Sequence, residues 1–146
     1  MTWTYLNREL TAEEIEHHTG FVYLITNITT DRRYVGKKLF HFRHKKVVKG
    51  KNRWLTKLSD WDSYYGSNDK LKQDVVILGK ENFKREVLRL CMSRSEMSYH
   101  EAKEQFVRDV LLDESYYNEF IGCKIRKSKI LLETCKIIVD TNQNSI

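Results

Sequence analysis

The sequence predicts an α+β chain, and three observations carry that expectation. Two β-prone runs, FVYLIT and RRYVGKK, flank a polar turn. A further run, FKREVLRLC, places Phe83, Val87 and Leu90 along one side. Residues 68–79 and 95–112 are built from strong helix formers with apolar residues at helical spacing. At 146 residues with no internal repeat and no Pro, Gly or Ser linker, the chain reads as a single domain, 1–146, long enough to bury a core.

The elements follow in order. Thr11 and Glu14 have the spacing of a capping box, so TAEEIEHHTG reads as a short helix stopped by Gly20. FVYLIT and RRYVGKK then form a hairpin whose loop is longer than the tightest types. The basic stretch that follows has only Gly50 to punctuate it and reads as a helix or ordered loop near its start. NDKLKQDVVILG opens on cap residues and closes on glycine, a helix that turns Leu71, Val75 and Leu78 inward. FKREVLRLC is the third strand, and Ser95 to Leu112 is the long helix. KILLETCKIIVD fits either a helix or a strand, and TNQNSI reads as a frayed end.

Composition excludes several classes. Apolar residues at 40% with 12% aromatics exclude a disordered chain, and 32% charged residues point to a soluble one. No apolar run approaches the roughly 18 residues of a membrane span. MTWTYLNREL lacks the basic start and apolar stretch of a secretory signal, which places the protein in the cytoplasm. Cys91, Cys123 and Cys135 have no metal-binding spacing and read as reduced thiols.

Charge is where the sequence is most informative. The net charge is +6, and between Lys37 and Lys57 stand nine Lys or Arg residues with no Asp or Glu. Phe40, Phe42, His41, His44 and Trp54 are interleaved with them, and Tyr64 lies a little beyond. A one-signed surface of this kind attracts a polyanion such as double-stranded DNA; the plain alternative is a solvated basic loop.

On the long helix, about 100° per residue puts Tyr99, Ala102, Phe106 and Val110 on one face. Glu104 then falls at the margin of that face, beside Val107 and Leu111, and Glu101 points more toward solvent. A carboxylate at such an edge can hold a divalent cation with several waters; an ordinary surface charge pair is the competing reading.

Gly20-Phe21-Val22-Tyr23 and Tyr34-Val35-Gly36 resemble the paired motifs of the GIY-YIG nuclease family. The resemblance continues through DSYYGSNDKLKQDVVILGKENFKREVLRLC, EAKEQF and Tyr117-Asn118, and so covers about Gly20 to Gly122. Residues before Thr19 and after Cys123 stand outside it, as a short N-terminal helix and a C-terminal extension. With its basic insert after the second tyrosine, the chain is most similar to phage-encoded members, which would act in the host cytoplasm.

The resemblance implies a small three-stranded antiparallel sheet flanked by helices, and metal-dependent hydrolysis of DNA phosphodiester bonds. Tyr23 or Tyr34 would accept the proton of the attacking water, with Tyr23 the first choice. Glu104 would hold one Mg²⁺ or Mn²⁺ ion, Asn118 would orient the site, and Gly36 would let backbone and phosphate approach closely. Arg43 would supply transition-state charge, although it stands one position nearer Gly36 than the family pattern places its arginine. His44 occupies that position instead, while Lys38 or Lys37 could support the tyrosine and His41 remains open. Lys37, Lys45, Lys46, Lys49, Lys51 and Arg53 would grip the DNA backbone. The same resemblance implies a free-standing or homing-type endonuclease, conceivably a homodimer; the alternative is a non-catalytic DNA-binding or assembly protein on the same fold.

Overall fold

The computed structural model describes residues 2–127. In GFVYLITN nearly every residue is apolar rather than every second one, the pattern of a strand covered on both faces. This strand, β3 (Gly20–Asn27), is the centre of the sheet and is buried along almost its whole length. β1 (Trp3–Tyr5), β2 (Arg8–Glu9) and α1 (Ala12–His17) precede it. β4 (Arg33–Leu39), β5 (His41–Val48), β6 (Lys51–Leu58), α2 (Asp69–Leu78), β7 (Phe83–Cys91) and α3 (Arg94–Val107) follow.

One sheet of five strands runs in the order β2-β1-β7-β3-β4, and β5 and β6 form a separate two-stranded ribbon. The antiparallel trio β7-β3-β4 is the expected sheet, but the expected strand count of three is corrected to five. The N-terminal WTY adds β1 parallel to β7, and β2 pairs back on β1. Three residues are too few to show a period, which is why composition did not mark β1 as a strand. Its Trp3 is nonetheless a core residue, and the indole Nε1 donates to the Trp61 carbonyl at 2.8 Å.

Alternation along β3 divides the core between the two faces of the sheet. Phe21, Tyr23 and Ile25 pack with Trp3, Phe40, Leu71 and Val75 on the α2 side. Val22 and Leu24 pack with Val35, Met97 and Val110 on the α3 side. The Thr11–Glu14 capping box forms as expected, though α1 ends at His17 and Gly20 belongs to β3. α2 matches its expected span, with Asn68 as N-cap and Gly79 at its end. α3 stops at Val107 rather than Leu112, because Asp109 turns into the left-handed region at φ 51°.

The basic block is neither a helix nor a loop. It is the β5–β6 ribbon, and its period of two was hidden because both of its faces are polar. KILLETCKIIVD and TNQNSI lie outside the described residues. Among the described residues no helix is long and apolar enough to cross a membrane.

β4 is the last strand of the sheet, so its outer edge must find partners elsewhere. Arg33 N–H donates to the Ser115 carbonyl at 2.8 Å, and Tyr117 N–H donates to the Arg33 carbonyl at 2.7 Å. At Val35 a side chain takes over. Asn118 Oδ1 accepts from Val35 N–H at 3.0 Å, and Asn118 Nδ2 donates to the Val35 carbonyl at 2.8 Å. Gln105 Nε2 adds a second donor to that carbonyl at 3.2 Å. Tyr117 ties the same segment to α2, its hydroxyl donating to Asp74 Oδ2 at 2.7 Å and accepting from Asn27 Nδ2 at 2.9 Å.

Asn118→Ala removes both amide bonds from a buried strand edge and is expected to cost about 2 kcal/mol, roughly 1 kcal/mol for each bond lost. Urea unfolding at unchanged slope is the measurement. A loss below about 0.5 kcal/mol would mean that water replaces the amide and that the clamp is not structural.

Candidate active site

The cleft forms where the Ser115–Asn118 segment leaves β4. Antiparallel pairing turns the main-chain groups of alternate residues outward, so Arg33, Val35, Lys37 and Leu39 share the outer edge. Arg33 and Val35 are satisfied as described, and Ser59 Oγ donates to the Leu39 carbonyl. The Lys37 N–H and C=O share this outward direction, at the stretch of edge that opens on the cleft. The cleft holds about 410 Å³ and is lined by Tyr34 and Lys37 from β4, Ser67 and Asn68 from the turn before α2, Glu101 from α3, and Asn118.

α3 brings Glu101 there because its inward positions are Met97, Glu101, Ala102 and Gln105, the i, i+4, i+5, i+8 pattern of one helical face. Met97, Ala102 and Gln105 are buried, whereas Tyr99 and Phe106 are 43% and 61% exposed. The two aromatics therefore misled the helix phase, and the expected margin position of Glu104 is corrected. Glu104 accepts from Arg108 Nε at 3.0 Å, one turn along, and does not line the cleft. The Glu101 side chain is 14% exposed, and its Oε1 lies 3.2 Å from Lys37 Nζ. Lys37 Nζ also donates to Ser98 Oγ at 3.0 Å. Burial pushes the Glu101 carboxyl above its ordinary range, and Lys37 opposes part of that rise.

The two tyrosines occupy different depths. Tyr34 lines the cleft, its hydroxyl 3.0 Å from Ser67 Oγ. Burial raises its pKa, and the Ser67 hydrogen bond works in the opposite direction. Tyr23 lies beneath, 1% exposed, with its ring 6.2 Å from that of Tyr34 and 6.1 Å from that of Tyr64. Burial first, and then Tyr64 and Tyr34 beside it, holds the Tyr23 hydroxyl well above the usual phenol value.

Gly36 stands directly across from Tyr23 in the β3–β4 register. A Cβ at Gly36 would come within 2.6 Å of Tyr23 Cζ and 3.0 Å of Tyr34 Cε1. The space left by the missing side chain is therefore filled by the Tyr23 phenol, which corrects the expectation that it is kept for a phosphate.

Other candidates lie elsewhere. Lys38 donates to Asp60 Oδ1 at 2.6 Å and sits 4.0 Å above the Tyr64 ring, on the Tyr23 side of β4. Arg43 and His44 are on β5, not on a helix, and neither lines the cleft. Arg43 lies over Trp54 at 5.6 Å, and the His44 ring is 6.2 Å from that of Phe42. His41 Nε2 is 3.0 Å from the Ile15 carbonyl, a contact that ties the start of β5 to α1. Lys45, Lys46, Lys51 and Arg53 are on the ribbon and Lys49 is at its tip.

Sequence reasoning weighed Glu101 but turned it toward solvent, and it did not name Ser67 or Ser98. For Glu101 the signal was present in the Met97–Glu101–Gln105 spacing; for the two serines there was none. The arrangement combines a phenol, an ammonium and the carboxylate paired with it on one open cleft, whose lining also includes Asp69 and Glu119. Among the described residues no group of three or more His, Cys, Asp or Glu comes together. A divalent ion here would rest on Glu101, waters and substrate oxygens, a donor set that suits an ion reluctant to shed its water.

Comparison with known proteins places this geometry. No curated protein and no solved structure matches the chain. A family model described as "Putative endonuclease segE, GIY-YIG domain" matches residues 3–121, which takes in β1 as well as everything from the paired tyrosines to Asn118. With its two motifs on β3 and β4 and its glutamate helix packed across them, the chain belongs to the GIY-YIG family of endonuclease domains.

Proposed function

We propose that the protein is a divalent-metal-dependent endonuclease that hydrolyses phosphodiester bonds in double-stranded DNA, of the free-standing or homing type that phages encode. The observation that carries this reading is the pairing of Glu101 with Lys37 at 3.2 Å on a cleft shared with the Tyr34 hydroxyl. A binding protein gains nothing from burying a carboxylate on the face that meets phosphate.

Hydrolysis needs an acceptor for the proton of water, and positive charge for the phosphorane. Tyr34 is the phenol placed to take that proton, since Tyr23 is sealed beneath it. Tyr23 instead packs against the Tyr34 ring from below, and Tyr64 packs edge-on against Tyr23. Lys37 offers its ammonium to a phosphate oxygen, and its outward main-chain N–H is a second donor. Glu101 is the residue that would hold Mg²⁺ or Mn²⁺, and the ion would supply charge to the phosphate and make the phenol easier to ionise. Water adds to phosphorus as its proton passes to the Tyr34 phenolate, the bond to the 3′ oxygen breaks, and that oxygen leaves with a proton taken from solvent. The products are a 5′-phosphate and a 3′-hydroxyl.

Plasmid nicking with Mg²⁺ and with EDTA tests these roles. Glu101→Gln is expected to lower the rate by about 10²–10⁴-fold, the range for losing a principal catalytic group. Glu104→Gln should stay within a few-fold of the parent. Equal losses in the two variants would return the metal role to Glu104 or to neither. No cutting by the parent chain, with tight DNA binding intact, would favour the non-catalytic DNA-binding protein.

Tyr34→Phe is expected to lose more activity than Tyr23→Phe, and the reverse order would make the buried phenol the base. The acid limb of the pH–rate profile gives a further check. Cleavage requires ionised Glu101, so activity is present above its pKa and is lost as pH falls through it. Burial places that limb above the ordinary glutamate value of about 4.3. Lys37→Met removes the cation that opposes burial, so the limb in the remaining activity should move to higher pH. An unmoved limb would show that another group sets it.

A further inference from the structure

The β5–β6 ribbon pairs with no strand of the main sheet. Each strand has eight residues, an arm of roughly 26 Å at about 3.3 Å per residue. A two-stranded ribbon alone in water is marginal at best, so its surface calls for a partner. Every residue of β6 is exposed, and residues 41–58 carry seven Lys or Arg and no acid. The tip is a two-residue turn, Lys49-Gly50, with φ of 51° and 74°, the tight primed type that keeps the strands in register.

That register sorts the arm into two unlike faces. Arg43, Lys45 and Val47 lie with Asn52, Trp54 and Thr56 on one; Lys46 and Val48 lie with Lys51 and Arg53 on the other. Trp54 is 58% exposed, and Lys45 Nζ stands 5.4 Å and the Arg43 guanidinium 5.6 Å from its ring. The first face thus carries arginine, asparagine and threonine, the groups that match guanine, adenine and thymine edges in the major groove. At its root the arm borders a second groove, which Phe42 lines with Lys38, Arg94 and Lys37, and Lys37 also lines the cleft.

We propose that the β5–β6 ribbon lies in the major groove of the duplex beside the cleft and reads base edges with Arg43, Asn52 and Thr56. The proposal rests on the nuclease reading only in taking duplex DNA as the partner. A ribbon fits a groove about 12 Å wide, and its length covers about seven or eight base pairs. Lys46, Lys51 and Arg53 reach from the other face to the phosphates on the groove walls.

The test is binding in EDTA, which needs no cleavage. One variant joins His44 to Lys49 and Gly50 to Leu55, removing four residues from each strand; His44 and Leu55 are a cross-strand pair of the same parity as Val48 and Lys51, so the turn is preserved. On a labelled mixed-sequence duplex its affinity should fall at least tenfold, and its hydroxyl-radical footprint should shorten on one side. Loss of Lys45, Lys46, Lys51 and Arg53 should lower the slope of log K against log salt by about 3. Methyl green, a major-groove ligand, should displace the parent protein, and netropsin, a minor-groove ligand, should not.

Unchanged affinity and footprint would overturn the proposal, as would displacement by netropsin alone. Loss of self-association with DNA binding intact would make the arm a contact between copies. If the shortened chain fails to fold, Arg43→Gln with Asn52→Ala and Thr56→Ala in the full-length arm decides instead. Selected binding sites should then lose their base preference while binding to mixed DNA persists, and an unaltered preference would refute the reading role. Absent cleavage with a normal arm footprint would count against the nuclease reading and leave this one standing.

Discussion

The outer edge of β4 is the constraint on which the rest depends. A strand at the end of a sheet offers a row of main-chain donors and acceptors that must be paired or hydrated. Here the row is divided. Ser115–Asn118 and Gln105 cover the half nearer the turn, Ser59 satisfies the Leu39 carbonyl at the far end, and the stretch at Lys37 between them is left to the cleft. Tyr34, Lys37 and Glu101 gather at the boundary because covering the first half brings α3 and the turn before α2 against the strand. Asn118 therefore acts on the cleft through the backbone of Val35, by fixing where β4 stops being covered.

The depth of the two tyrosines follows from packing on that strand. Gly36 has no side chain, so the Tyr23 phenol lies across β4 where a Cβ would stand, and Tyr34 is carried above it. The stack makes both phenols reluctant to ionise, and Glu101 is likewise held toward its neutral form. Lys37 is the compensating charge within the cleft. Any charge that enters the cleft meets a background the protein has already desolvated, where each interaction counts for more than it does in water.

Sequence legibility followed the strength of local signals. Cap residues at Asn68 and Gly79 bounded α2, and the apolar run of β3 marked a central strand. The paired motifs singled out Tyr23 and Tyr34 with Tyr23 first, and only the packing shows that Tyr34 lines the cleft while Tyr23 is buried. What stayed hidden had specific causes. β1 is three residues long and is held by a tertiary pairing. In α3, Tyr99 and Phe106 drew the apolar face to the wrong side, when buried Met97 and Gln105 define it, and the phase error turned Glu101 toward solvent instead of into the cleft. In the ribbon, cations on both faces erased the alternation by which strands are recognised.

One consequence concerns timing. Tyr34 and Asn118, which both line the cleft, are 84 residues apart, and Trp3 waits for a β7 partner 82 residues downstream. At ribosomal rates of about 5–20 residues per second, the second half of each pairing emerges several seconds after the first. A nascent chain can thus display its cationic ribbon well before it owns a cleft, which is complete only when Ser115–Asn118 reaches the outer edge of β4 and not when the paired motifs emerge.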